Sequence, residues 1–390
     1  MSTLLVGITS NESYHVCKFK NTCFTKSKII VYVKNSANIL NSAFDECCVK
    51  KTKCNRLLLK REICICFSLR SYITFEDISG MAKNTSFISG NTWMINQFSR
   101  SSHPSHFSFK MIPTGIIFNM REKFQLPKIM HRIYWQDYET NNLTEFESNI
   151  FDIAISSKKV HVGELLFSPD NICFSNTYTN QYLQVYSKKK EHLIYFQEYA
   201  EKKMGLRNLV YGRKTNGCPP RKAVLITRVD GKGKRNLIGI DYISEYLKSK
   251  NYSFEKFAIS KLNSSFVQAK TFNSFGIIIT PWSSQLTNII FAQKRAVSMI
   301  ITPFCYENVF PKLSNVSGLH TILSLGHKPS GENFGNQKCL HSKSFYEKKC
   351  FKTWRELIEN HDTIIDKEII EKDLAKAISL IENCYTSRHD

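Results

Sequence analysis

From residue 220 onward, short apolar runs alternate with amphipathic stretches. Ala223–Thr227, Phe275–Thr280 and Ala296–Thr302 are apolar runs of strand length, and Phe254–Ile259 reads as a further strand. Between them lie stretches of helical period. Residues 240–250 place Ile240, Ile243, Tyr246 and Leu247 on one face, and residues 262–274 and 286–294 predict two further helices. Strands that alternate with helices at this spacing predict parallel βαβ units in a doubly wound, Rossmann-like α/β sheet.

The first 214 residues read differently. Apolar runs at Lys28–Val33, Arg61–Leu69, Gly163–Ser168 and Asn180–Ser187 are separated by polar loops, and one helix is expected over His106–Ile117 despite Pro113. This half reads as mixed α and β. Gly217, Pro219 and Pro220 then punctuate the chain, which places a boundary there. The expected organisation is an N-terminal α/β lobe over 1–217, a Rossmann-like lobe over 218–345, and C-terminal helices over 346–390 that pack back on the lobes. Two helices are expected in that last part, Lys352–Asn360 and Asp366–Asn383.

Charge narrows the ligand to an anion. Lys and Arg total 54 against 33 Asp and Glu, a formal net charge of +21, so the surface potential favours nucleic acid, acidic membrane or a phosphorylated small molecule. The basic residues come in short, dispersed runs with no zinc-finger, basic-zipper or RNA-recognition pattern beside them, and nucleic acid is therefore not favoured. The 13 cysteines suit a disulfide-permitting compartment or a reduced chain rich in small apolar residues, and spacing does not reveal their pairing. No run of 18 apolar residues occurs, and residues 3–8 are too short for a signal sequence core.

In an open parallel sheet, the ligand crevice lies beyond the carboxyl ends of the strands, where loops meet helix starts. Two loops qualify. The first, Thr227–Asn236, carries Arg228, Lys232, Lys234 and Arg235 with Gly231 and Gly233; it is neither a complete dinucleotide fingerprint nor a phosphate-binding Walker loop. Basic side chains there could pair bidentately with a diphosphate. The second loop is Pro281–Asn288, PWSSQLTN.

The order of these features resembles glycosyltransferase family 61. Leu225-Ile226-Thr227-Arg228 through Arg235 resembles that family's strand ending in Arg with a second Arg after it. Ser265-Phe266-Val267-Gln268 approximates its Ser-x-x-Glu-Gln helix start, and Ser284-Gln285-Leu286-Thr287-Asn288 is similar to the end of its HGSQLTN loop. Upstream, Ser102-His103-Pro104-Ser105-His106-Phe107 resembles its Asn-x-x-His-aromatic motif, which puts His106 on the family His. The resemblance runs from about residue 14 to about residue 320. Two positions depart from it: Trp282 stands where the family has His, and Ser283 where it has Gly.

The resemblance implies a GT-B architecture, two Rossmann-like lobes with a donor cleft between them, and inverting transfer from a UDP-sugar to a hydroxyl of a glycan or protein. No metal is expected. Arg228, Arg235 and the helix start at Thr287 and Asn288 would stabilise the diphosphate. Gln268, Trp282, Ser283, Ser284, Gln285 and Leu286 would complete the nucleotide-sugar site, and His106, with His103 in reserve, would serve as general base. A Trp at 282 could stack on uracil or a sugar ring, or fill the cleft. A Ser at 283 would be strained if the loop kept a positive φ there. The competing reading is a catalytically degenerate pseudoenzyme or a basic polyanion-binding module. The resemblance also implies the Golgi or endoplasmic reticulum lumen, with a membrane anchor expected upstream of the readable sequence.

Overall fold

The computed structural model describes residues 16–24, 28–33, 72–83, 85–96, 111–112, 114–118, 120–136, 148, 161–164, 172–180, 193–210, 217–228, 236–259, 264–302, 309–330 and 362–386. The chain divides into two compact units, Met1–Gln184 and Val185–Asp390. The boundary expected at 217/218 falls inside the second unit. The runs Arg61–Leu69 and Lys352–Asn360 lie outside the described residues.

Seven strands of the first unit form one sheet: β1 (Val16–Phe24), β2 (Lys28–Val33), β3 (Tyr72–Asp77), β4 (Phe87–Asn96), β5 (Arg132–Gln136), β6 (His161–Glu164) and β7 (Ile172–Asn180). Their spatial order is β3-β2-β1-β7-β4-β5-β6. The sheet is mixed: β1 runs antiparallel to β2 and β7, and the other joins are parallel. Both faces are covered at its centre, since consecutive residues Thr92, Trp93 and Met94 of β4 are all buried. A buried helical segment at 111–112 and 114–118 supplies Phe118, whose ring meets Trp93 edge-on at 4.9 Å. Cys23 and Cys173, directly opposed on β1 and β7, form a disulfide.

The second unit opens with α1 (Ile194–Met204) and then builds a five-stranded parallel sheet from β8 (Lys222–Arg228), β10 (Ser253–Ile259), β11 (Ile277–Pro281), β12 (Val297–Ile301) and β13 (His320–Ser324). The connecting helices are α2 (Ile240–Ser249), α3 (Ser265–Asn273) and α4 (Val309–Val316). Every residue of β11 and β12 is buried, as expected of central strands covered on both faces. A smaller sheet joins β9 (Leu237–Ile238), β14 (Lys328–Pro329) and β15 (Thr363–Ile364). The long C-terminal helix α5 (Lys367–Thr386) lays Ile370, Leu374, Ala377 and Ile381 into one apolar cluster with Leu225, Ile279, Met299 and Ile322 of the large sheet.

The two ends of α5 are fixed by different chemistry. At its start, Asp366 accepts the Ile369 N–H at 3.2 Å and donates its own N–H to Nδ1 of buried His327 at 3.1 Å, while Nε2 of His327 meets the Ser324 hydroxyl at 2.8 Å. At its end, Cys384 is disulfide-bonded to Cys218, and Arg221 donates to both oxygens of Glu382, through Nε at 2.8 and 3.1 Å. The Tyr252 hydroxyl also donates to Glu382, at 2.7 Å, and the Tyr385 hydroxyl to the Pro219 carbonyl at 2.9 Å. The hydrogen bond from Arg221 holds the Glu382 carboxyl below its ordinary range, and burial together with Glu382 pushes the Tyr252 phenol up. No helix among the described residues is long and apolar enough to cross a membrane.

Candidate functional site

Strand order locates the crevice. Numbered by their place along the chain, the five parallel strands run 2-1-3-4-5, so the direction of winding reverses between β8 and β11. In such sheets, ligands bind beyond the carboxyl ends of the strands at this switch point. The register joins Ile279 of β11 to Leu225 of β8; three residues further along each strand stand Trp282 and Arg228. Both loops singled out in the sequence therefore leave the sheet side by side. Arg228 is the last residue of β8 and pairs with Ile259 of β10.

The second loop is built differently from the helix that its periodicity predicts. Residues 284–291 form a 3-10 helix, Ser284–Phe291, in place of the α-helix expected over 286–294. Leu286, Ile289, Ile290 and Phe291 are all buried, and a segment buried on every side takes its conformation from its neighbours rather than from an amphipathic period. Phe291 meets Phe196 of α1 with ring centroids 6.0 Å apart.

The Asn273 amide ties the far end of the segment down. Its Oδ1 accepts from Arg207 N at 2.9 Å, and its Nδ2 donates to the carbonyls of Arg207 and Phe291 at 2.9 and 3.0 Å. Sequence reasoning missed Asn273, because a polar residue at the end of a helix gives no sign that a loop 66 residues away will need its amide.

At the near end the strain expected at Ser283 does not arise. Its φ is −154° and its ψ 163°, ordinary extended backbone that any residue adopts. Trp282 is half-buried and donates its backbone N–H to Ile301 at 3.2 Å, which carries the pairing of β11 with β12 one residue past the strand. Trp282 and Ser283 thus continue β11 past its carboxyl end, and a Cβ at 283 costs nothing in torsion.

Among the described residues nine buried side-chain polar atoms have no hydrogen-bond partner, and two of them belong to this segment: the Ser283 hydroxyl and Oδ1 of Asn288. Ser283 is 4% exposed and Asn288 2%. An unsatisfied buried polar group costs about 1–3 kcal/mol, a cost that a ligand group pairing with these atoms would offset. The other amide atom of Asn288 is used, since Nδ2 donates to Oε1 of Gln268 on α3 at 2.9 Å. Gln268 is itself 3% exposed. Ser284 is the first residue of the 3-10 helix, Gln285 is half-buried, and Leu286 and Thr287 are buried. The structure thus brings together Arg228, Gln268 and residues 282–288; His103, His106 and Arg235 lie outside the described residues.

A 2-1-3-4-5 parallel sheet with a polar loop buried at its switch point is compatible with a Rossmann-like α/β fold. Comparison with known families makes this specific: residues 92–299, just over half of the chain, match the family described as Glycosyltransferase 61. The chain belongs to glycosyltransferase family 61, and at that level it is a glycosyltransferase. The match runs from β4 to β12 and contains both loops, a narrower span than the resemblance read from the sequence. No curated protein matches the chain.

Proposed function

We propose that the protein is an inverting glycosyltransferase of GT-B architecture that moves a sugar from a UDP-sugar to a hydroxyl of a glycan or protein. The acceptor oxygen attacks the anomeric carbon, the bond from that carbon to the diphosphate breaks, UDP leaves, and the hydroxyl proton passes to His106, with His103 as the alternative base. Arg228 and Arg235 neutralise the leaving diphosphate, a role that needs no metal. Trp282 stacks on the uracil or the sugar. Ser284, Gln285, Leu286 and Thr287 shape the wall of the donor site.

The observation that supports this reading is that β8, ending in Arg228, and β11, leading into Trp282, lie side by side at the switch point of the parallel sheet. Family membership supplies the reaction class. The two disulfides among the described residues agree with a lumen of the secretory pathway, where such bonds persist.

The test is ligand-induced thermal stabilisation against nucleoside diphosphates and UDP-sugars, for the natural chain and for a Trp282→His, Ser283→Gly double variant. Stabilisation of the natural chain by one UDP-sugar, followed by product formation, is the expected result. A response from the double variant alone means that Trp282 fills the donor site and the chain is a pseudoenzyme. Silence from both overturns donor binding.

A further inference from the structure

The amide of Asn288 is placed with its nitrogen toward Gln268. Its Nδ2 is committed to Gln268 Oε1 at 2.9 Å inside the protein, so the atom left unpaired is a carbonyl oxygen. An amide oxygen can only accept. It repels a phosphate oxygen, which is also an acceptor and carries negative charge. Its complement is a neutral group that bears an N–H or O–H. The loop residue expected to hold the diphosphate is therefore wired for a different part of the donor.

Resting on the donor reading above, we propose that Gln268 is a positioning residue: it does not meet the donor, and by taking the Nδ2 hydrogen of Asn288 it turns Oδ1 toward a donor N–H or hydroxyl, on the base or on a sugar ring, and not toward the diphosphate. Gln268 suits this role because it projects from α3, on an element separate from the loop, and is almost wholly buried. The unpartnered oxygen then becomes specificity. A site that buries an acceptor rejects any ligand lacking the matching hydrogen, because the acceptor stays unpaired in that complex.

Three substitutions, titrated calorimetrically with UDP, the UDP-sugar that stabilises the natural chain, and pyrophosphate, test the assignment. Gln268→Met removes the acceptor that orients Asn288. Loss of one such hydrogen bond weakens binding about tenfold, and pyrophosphate binding stays unchanged. Gln268→Glu keeps an acceptor for Nδ2 and restores binding. Asn288→Asp offers oxygens only and gives up its hydrogen bond to Gln268, so it weakens UDP by no more than about the same tenfold if the partner is a hydrogen-bond donor, and removes both UDP and pyrophosphate binding if the partner is a phosphate.

Weakening seen with UDP itself places the matching hydrogen on the base or ribose. Weakening confined to the UDP-sugar places it on the transferred sugar. Pyrophosphate binding that falls in Gln268→Met, or UDP binding abolished by Asn288→Asp, overturns the proposal and leaves the donor reading standing. A natural chain that binds none of the three overturns the donor reading and this proposal with it. Should Gln268→Met fail to fold, Asn288→Asp decides the matter alone.

Discussion

The disulfide between Cys218 and Cys384 should set the stability of the second unit, and Cys218→Ser isolates its contribution. Cys218 is half-buried, so a serine there leaves no large cavity, whereas Cys384 is buried on the core side of α5 and is best left intact. The bond closes a loop of sequence separation 166. Chain-entropy arguments assign a cross-link over a loop of that length about 5 kcal/mol, with measured values reaching down to about 2 kcal/mol when the unfolded chain is already compact. Little else replaces it at this end of the helix. Arg221 is 53% exposed, and an ion pair so open to water is screened and adds little. The hydrogen bonds from Tyr252 and Tyr385 remain in the variant and so do not enter the difference.

The expected loss is therefore about 2–5 kcal/mol. With an m-value of about 2–3 kcal/mol per molar urea, the midpoint of the second unit's unfolding falls by about 1–2 M. Urea titration followed by far-ultraviolet circular dichroism reads the shift, and mass-spectrometric thiol labelling establishes the pairing in the natural chain. Two results would refute the reasoning: free thiols at both positions in the natural chain, or a midpoint within about 0.2 M of it in the variant.

Two further perturbations follow from the packing of the same unit. A Cβ on Gly276 would lie 2.1 Å from the Pro220 carbonyl oxygen, while Gly276 N–H donates to Lys222 and its carbonyl accepts from Val297, so Gly276→Ala should cost more than about 3 kcal/mol or abolish soluble expression; a melting temperature within about 1 °C of the natural chain would contradict this. Burial holds His327 neutral, its pKa lowered from the ordinary 6.5 despite Asp373 and Asp366 nearby, so as pH falls through 6.5 the unfolded chain takes up a proton that the folded chain does not, and stability declines. His327→Gln can still accept the Asp366 N–H, and the slope of stability against pH below 6.5 should flatten in that variant; an unchanged slope assigns the acid sensitivity elsewhere.

Much of the second unit was legible in the sequence. The runs at 223–227, 275–280 and 296–302 became β8, β11 and β12 within a residue or two, because strands covered on both faces must be apolar throughout, and 254–259 became the more polar edge strand β10. The C-terminal helix and α2 were equally clear, since each buries one stripe against a sheet and exposes the rest. The first unit was less legible: β4 alternates poorly, with a register shift between Ile88 and Asn91 that Gly90 turns at a φ of +95°.

Residue types at 281–288 were enough to mark the loop and its family. They could not give its conformation. The 3-10 geometry follows from burial on every side. The extended torsion of Ser283 follows from Trp282 continuing the pairing with β12. The pairing of Cys218 with Cys384, and of Gln268 with Asn288, depends on segments that only the folded sheet brings together. Sequence determines which groups can donate, accept or pack; the tertiary structure decides which of them are already taken, and thereby which atoms are left for a ligand.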